Sequence, residues 1–157
     1  MSVPIPVRLE NLYTIHTANN YTLVETGTRS AVAGGTTTVL LFAEQAKGQS
    51  LKEQVANYHF LAQEQGSYTD YGFHAIITDP TEEVLENELL TLARSGGIMS
   101  MKLFLTYKHM RISDKQFLQA LKKARELEMV ALVHAGNGDL VDFFTEQLEE
   151  MAFTNPM

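Results

Sequence analysis

The stretch IMSMKLFLTY, residues 98–107, decides the fold, because its pattern fits a strand with two unlike faces. Side chains alternate across a strand. One face is wholly apolar and consists of Met99, Met101, Leu103 and Leu105. The opposite face combines a lysine with smaller polar and apolar residues: Ile98, Ser100, Lys102, Phe104 and Thr106. The apolar face predicts packing against helices, and the lysine face is typical of a barrel interior near its working end. In the alternative interpretation, Lys102 sits at a strand edge and extends to water.

Similar strands recur on both sides of this stretch, and amphipathic segments separate them. The further predicted strands are TTTVLLFA (36–43), DYGFHAIITD (70–79) and MVALVHA (129–135). The predicted helices cover 25–33, 50–66, 82–95, 114–128 and 139–152. Ser50 with Glu53, and Ser113 with Gln116, have the spacing of capping boxes. Strands that alternate regularly with helices predict a parallel sheet built from βα units.

Two architectures use repeated βα units: the doubly wound open sheet and the (β/α)₈ barrel. The doubly wound sheet favours a glycine-rich loop after an early strand, but AVAGG at 31–35 precedes a strand. A barrel needs eight units and about 250 residues. About four units are legible here, so the sequence predicts an α/β fold, a partial (β/α)₈ TIM-type barrel occupying residues 1–157 as one domain.

Composition excludes several classes of function. Hydrophobic residues make up 45% of the 157-residue chain, which predicts a globular domain with a core. A net charge of −7 without a basic block argues against nucleic-acid and membrane partners. The absence of cysteine excludes disulfides and thiolate metal sites, and it fits a cytoplasmic protein. No signal peptide or transmembrane run is visible in the sequence.

A lysine, a tyrosine and a histidine in or directly after predicted strands are the candidate functional residues. Lys102 lies within its strand, Tyr107 directly after it, and His134 near the end of the last strand. His134 alone could equally be a hydrogen-bonded core or loop residue. Simpler roles are predicted for other residues: an interior position for His74, surface positions for His16, His59 and His109, and core positions for Met99, Met101, Phe143 and Phe144.

Four separated blocks carry a family resemblance. They are ETGTRSAVAGGTTTVLLFA (25–43), DYGFHAIITDPTEEVLENEL (70–89), SMKLFLTYK (100–108) and VHAGNGDL (133–140). In this order they resemble the dihydropyrimidinase/hydantoinase family of metal-dependent cyclic amidohydrolases, over residues from about 17 to about 155. The specificity comes from the four blocks together, since no single block would suffice.

The resemblance implies a (β/α)₈ barrel with a β-sandwich beside it and two zinc ions in the site. Lys102 then corresponds to a lysine carboxylated by CO₂ that bridges the metals, and His134 to a metal-binding histidine. Tyr107 corresponds to a tyrosine that binds substrate and its developing oxyanion, which makes it the candidate catalytic residue. The implied reaction opens a small cyclic amide, a dihydropyrimidine or a hydantoin, and the implied assembly is a homotetramer.

The sequence also departs from the family pattern. It has no His-x-His motif, and Gly136 stands where the family usually has glutamate. We therefore expect a fragment that lacks the N-terminal strand, the C-terminal half of the barrel and the β-sandwich, and that is inactive alone. The alternatives are a non-catalytic dihydropyrimidinase-related interaction protein and an allantoinase- or dihydroorotase-type enzyme.

Overall fold

The computed structural model describes residues 7–8 and 23–151, the residues 7, 8 and 23 by their backbone alone. The strands are β1 (Val7–Arg8), β2 (Thr38–Glu44), β3 (Asp70–Ile76), β4 (Ser100–Phe104) and β5 (Val130–His134). The helices are α1 (Leu23–Ala33), α2 (Leu51–Gln65), α3 (Leu89–Ser95), α4 (Asp114–Glu126) and α5 (Gly138–Glu150). A π-helical segment, Val84–Glu88, precedes α3 directly.

The strands form one parallel sheet in the order β1-β2-β3-β4-β5, which is also their order along the chain. Four βα units, from β2 to α5, confirm the predicted repeat. The two-residue strand β1, which no sequence pattern predicted, pairs with Val39 and Leu40 at one edge. At the other edge, β5 pairs with β4 alone among the described strands. Parallel strands in sequence order place all carboxyl ends at the same edge of the sheet.

The main core lies between the sheet and its helices. It includes the strand residues Val39, Leu41, Phe73, Met101 and Leu103, each less than one-tenth exposed. Helix α2 packs on β2 and β3, and α4 packs on β4 and β5. The predicted helix starts are confirmed, because the Ser50 and Ser113 hydroxyls accept backbone hydrogen bonds from Glu53 and Gln116. None of the described helices has the length and apolar character needed to span a bilayer.

Element boundaries differ from the sequence prediction mainly at strand ends. The run predicted as a strand over 98–107 contains a strand only from Ser100 to Phe104. The prediction of a regular α-helix over 82–95 was wrong over five residues, where the backbone is π-helical. There the N–H of Leu89 donates to the Val84 carbonyl, five residues back. Thr81 caps this segment, because its hydroxyl accepts a hydrogen bond of 3.2 Å from the Val84 N–H.

Alternation across β4 is confirmed inside the strand and fails outside it. Met101 and Leu103 are fully buried in the main core, as predicted for the apolar face. Met99 was predicted to be core but is 51% exposed, and Ile98 is only 1% exposed in the main core rather than on the lysine face. Both residues precede the strand. The Ile98 N–H donates to the Leu92 carbonyl, so Ile98 belongs to the turn that follows α3.

Helix α5 contradicts the prediction that Phe143 and Phe144 are core residues, because they are 55% and 59% exposed. Large apolar side chains close to half exposed or more run along the helix: Leu140, Val141, Phe143, Phe144, Leu148 and Met151. Arg111 pairs with Asp139 and Asp142, whose side chains are 94% and 27% exposed. These ion pairs join the start of α5 to the loop after β4.

Candidate functional site

Lys102 lies on the face of β4 that is opposite to Met101 and Leu103. Its register partners are Ile76 on β3 and Leu132 on β5. The Lys102 Nζ atom lies 5.2 Å from the centroid of the Phe104 ring, and the lysine is half-buried. Phe104 belongs to a second buried cluster with Ile76 and Met110, separate from the main core. The lysine therefore lies on the face of the sheet opposite to the main core and its helices.

His134 is the last residue of β5 and stands in register with Phe104 on β4. Its imidazole stacks on the Phe104 ring, with centroids 5.6 Å apart and an interplanar angle of 20°. The backbone carbonyl of His134 accepts a hydrogen bond of 3.1 Å from the Leu105 N–H. Lys102 lies two residues deeper in the sheet than Phe104, a rise of roughly 7 Å along a strand. The exposed His134 ring therefore lies nearer the rim than Lys102.

Tyr107 reaches the site through an unusual backbone conformation. Its φ of 62° lies in the left-handed region, which L-residues other than Asn and Asp seldom adopt. The Tyr107 carbonyl accepts hydrogen bonds of 2.8 Å from the N–H groups of both Met110 and Arg111. This turn brings the Tyr107 ring to 5.2 Å from the His134 imidazole, between centroids. Strained backbone of this kind is concentrated at functional sites.

Tyr107 and His134 thus meet at the carboxyl ends of β4 and β5, and Lys102 lies deeper on the same face of the sheet. Phe104 connects them, because its ring contacts Lys102, Tyr107 and His134. The donors available to a metal are of the right kind but few. No group of three or more His, Cys, Asp or Glu side chains able to hold a metal occurs within residues 23–151. A metal bound at His134 and a carboxylated Lys102 would need additional ligands.

The other histidines in the described part of the chain are His59, His74 and His109. His74 is buried, as predicted, and its Nδ1 shares a short hydrogen bond with the Ser100 hydroxyl. The surface prediction for His59 was wrong, because its half-buried ring packs edge-on against Phe73 at 4.8 Å. Helix α2 turns that side toward the sheet. His109 is exposed, as predicted, and His16 lies outside the described residues.

A polar cleft of 680 Å³, which no sequence pattern predicted, lies beside the site. It separates the loop after β4 from the loop after β5, and its basic side chains come from Lys47, Lys108 and Arg111. Arg111 bridges Asp139 at 3.2 Å and Asp142 at 3.1 Å, so it connects the Tyr107 turn to the start of α5. These contacts join residues far apart in the chain, and no local sequence pattern indicates them.

Comparisons with known proteins agree with this geometry. A D-hydantoinase of Geobacillus stearothermophilus is 38% identical over 134 residues, which cover 85% of this chain and 28% of the relative. A dihydropyrimidinase of Dictyostelium discoideum is 37% identical over 131 residues, covering 83% of the chain and 26% of the relative. The crystal structure of dihydropyrimidinase from Brevibacillus agri matches with a TM-score of 0.80 and 37% identity, over 85% of this chain and 29% of that one. No protein-family model matches the chain.

The fold is therefore an α/β fold of four parallel βα units that corresponds to part of the TIM barrel of an amidohydrolase. Within that class, the chain belongs to the dihydropyrimidinase/D-hydantoinase family over the stretch that it shares with the relatives. It spans little more than a quarter of the length of the curated relatives that it matches.

Proposed function

We propose that this chain supplies part of the active site of a hydrolase that opens cyclic amides, with dihydropyrimidines or hydantoins as substrates. The arrangement of Lys102, Tyr107 and His134 around the Phe104 ring, on the face of the sheet opposite to the main core, carries the proposal. The printed names of the relatives, D-hydantoinase and dihydropyrimidinase, give the substrate class. Fold alone would not suffice, because TIM barrels host many unrelated reactions.

Lys102 is proposed to act as a carbamate. Its neutral amine would form an N–C bond with CO₂ and release a proton, giving an anionic oxygen ligand. His134 would be the imidazole ligand on the neighbouring strand. Zinc held by such ligands lowers the pKa of a bound water, which supplies a hydroxide near neutral pH.

Tyr107 is proposed to stabilise the charge that develops on the substrate. As hydroxide adds to the ring carbonyl carbon, a C–O bond forms and the carbonyl oxygen becomes anionic. The Tyr107 hydroxyl would donate a hydrogen bond to that oxygen. The ring C–N bond then breaks, and the leaving nitrogen takes up the proton of the added hydroxyl group, which leaves a carboxylate. The left-handed backbone of Tyr107 supports this role, because it directs the ring toward His134 rather than along the strand.

A chimera tests the proposal. Residues 23–151 of this chain would replace the matching stretch in the D-hydantoinase of Geobacillus stearothermophilus. We expect the chimera to open the hydantoin ring and to lose that activity together with its zinc when Lys102→Ala is introduced. Lys108→Ala is the matched control, because Lys108 lies on the same segment but is exposed, and it should leave both properties unchanged. Ring opening by the chimera with Lys102→Ala would refute the assignment of Lys102.

A non-catalytic member of the family is the second candidate. It is favoured by the small donor set, since residues 23–151 contain no cluster of three metal-binding His, Cys, Asp or Glu side chains. The same chimera separates the two candidates. A chimera that folds with the thermal stability of the parent enzyme but neither retains zinc nor opens the ring would favour the non-catalytic role.

A further inference from the structure

Thr106 and Gly136 interlock where the ends of β4 and β5 meet. Thr106 is 3% exposed. A Cβ atom placed on Gly136 would lie 2.5 Å from the Thr106 Cγ2 methyl and 3.8 Å from the Thr106 Cβ. Non-bonded carbon atoms approach favourably only to about 3.5–4.0 Å. No side chain therefore fits at position 136 while the Thr106 methyl keeps its place.

The backbone does not account for the glycine at position 136. The described glycines with a left-handed φ are Gly35, Gly48, Gly66 and Gly97. Gly136 has a φ that any L-residue can adopt. The requirement for glycine at this position comes from its neighbour across the loop, and the neighbour is the methyl group of Thr106.

The methyl group of Thr106, and not its hydroxyl, makes the contact that matters for packing at this position. The Thr106 Oγ1 atom is buried and has no hydrogen-bond partner within the described part of the chain. A buried hydroxyl without a partner is unfavourable. Threonine is branched at Cβ and has few χ1 rotamers, so its methyl group cannot easily move away from the loop after β5.

This contact lies between two residues of the proposed site. Tyr107 directly follows Thr106, and the Cβ position on Gly136 would lie 3.9 Å from the His134 Cδ2 atom. The Leu105 N–H donates to the His134 carbonyl, which ties the same two segments together. How closely residue 136 approaches Thr106 therefore determines how far the His134 ring lies from Tyr107 and Phe104.

We propose that Thr106 and Gly136 are a pair of positioning residues whose complementary sizes set the distance between His134 and Tyr107. The proposal rests on the proposed function for its catalytic meaning. It also explains the departure at position 136 from the glutamate that the family pattern carries. A glutamate there would collide with the Thr106 methyl, so glycine at 136 and threonine at 106 belong together.

Substitutions in the 157-residue chain test the pair without any activity measurement. The His134 imidazole protons, assigned with His134→Gln, report its position by NMR, because the rings of Phe104 and Tyr107 shift their resonances. We expect Gly136→Ala to move these resonances and to raise the unfolding equilibrium constant by about tenfold or more. Adding Thr106→Ala should return both readouts most of the way to those of the parent chain. Adding Thr106→Val, which keeps the methyl group, should not.

Gly138→Ala is the matched control. Its Cβ would lie 2.6 Å from the Leu105 carbonyl oxygen, a backbone atom. Thr106→Ala should therefore fail to rescue it. If Gly136→Ala is recovered only as insoluble protein, return of the double variant to the soluble fraction supports the pair, and persistent insolubility overturns it. Unchanged His134 resonances in Gly136→Ala, or equal rescue by Thr106→Val, would also overturn it. None of these readouts requires zinc or ring opening, so a failure of the proposed function would be seen separately.

Discussion

The Tyr107 ring lies 5.2 Å from the His134 imidazole, between centroids, across the ends of two neighbouring parallel strands. The contact depends on the left-handed φ of 62° at Tyr107, which turns the chain back toward β5 directly after β4. Phe104 lies beneath both rings, at 5.9 Å from Tyr107 and 5.6 Å from His134. The aromatic cluster orients two candidate site residues without any hydrogen bond between them.

Removing the Tyr107 hydroxyl should slow ring opening without loss of metal. In the D-hydantoinase chimera, Tyr107→Phe keeps the ring contacts with Phe104 and His134 but removes the donor to the oxyanion. Loss of one such donor typically costs about 10²–10³ in kcat. Steady-state kinetics with zinc content by elemental analysis measures both quantities. Loss of zinc in Tyr107→Phe would show that the tyrosine acts on the metal site instead.

The 157-residue chain alone should not open dihydrouracil or hydantoin at a measurable rate. The residues from 23 to 151 place Lys102 and His134 on one face of the sheet but contain no group of three or more His, Cys, Asp or Glu side chains able to hold a metal. A metal ion that activates a bound water needs more protein ligands than these two. Ring opening followed by absorbance, at several zinc concentrations and with added bicarbonate, checks this expectation. Measurable ring opening by the chain would contradict it.

The exposed apolar side of α5 should make the isolated chain self-associate, because large exposed apolar patches favour association. The edge of β5 that no described strand pairs with should add to this tendency. Phe144→Gln should reduce association, measured by sedimentation velocity across a range of concentrations. Phe60→Gln is a matched control, since Phe60 on α2 is also 59% exposed but lies on a different helix. A monodisperse monomer at high concentration would show that α5 does not promote association.

Lys123 should make stability depend on pH at both ends of the range. It contacts Glu86 at 2.5 Å and Glu126 at 2.9 Å, and these hydrogen bonds raise the pKa of Lys123, with Glu86 the larger cause. The same contact lowers the pKa of Glu126. The stabilisation that Lys123 contributes is fully present below pH 10.5, the ordinary pKa of lysine. It disappears as the pH rises through the higher pKa of Lys123 in the folded chain. The stabilisation that Glu126 contributes is fully present above pH 4.5, the ordinary pKa of glutamate. It disappears as the pH falls through the lower pKa of Glu126 in the folded chain.

Urea unfolding of Lys123→Ala from pH 3 to pH 11 measures this dependence. The difference from the parent chain should be largest near neutral pH and should shrink toward both extremes. Lys122→Ala is the matched control, because Lys122 is 81% exposed and approaches Glu126 only to 4.0 Å. A difference for Lys123→Ala that stays constant across the pH range would show that the lost interaction is packing rather than ionic.

Glu128→Gly should stabilise the chain. Glu128 follows α4 with a φ of 57°, a conformation that costs an L-residue about 1–2 kcal/mol and that glycine adopts freely. Part of that gain is offset by the greater freedom of glycine in the unfolded chain, so we expect a net increase of about 0.5–1 kcal/mol in the free energy of unfolding. Glu128→Ala keeps the strain and should bring no such gain. Equal effects of the two substitutions would assign the change to the lost charge.

The sequence by itself determined the elements and their order. Alternation of apolar residues placed Met101 and Leu103 against the helices and Lys102 on the opposite face. Capping residues such as Ser50 and Ser113 marked helix starts. These features are local, because they depend on the period of a strand or on hydrogen bonds over three residues. Four such units in succession were enough to predict a parallel sheet in sequence order.

Only the tertiary structure decided how the strand ends fit together. Side chains alternate between the two faces only within a strand, so the pattern could not predict the burial of Ile98 or Met99, which precede β4. The contact of the Tyr107 ring with His134 and the ion pair of Arg111 with Asp142 join residues distant in sequence, so no local pattern indicates them. The glycine at position 136 shows the reason most directly. Its backbone is ordinary, and the need for glycine arises because the methyl group of Thr106, on another strand end, fills the space that a side chain would need.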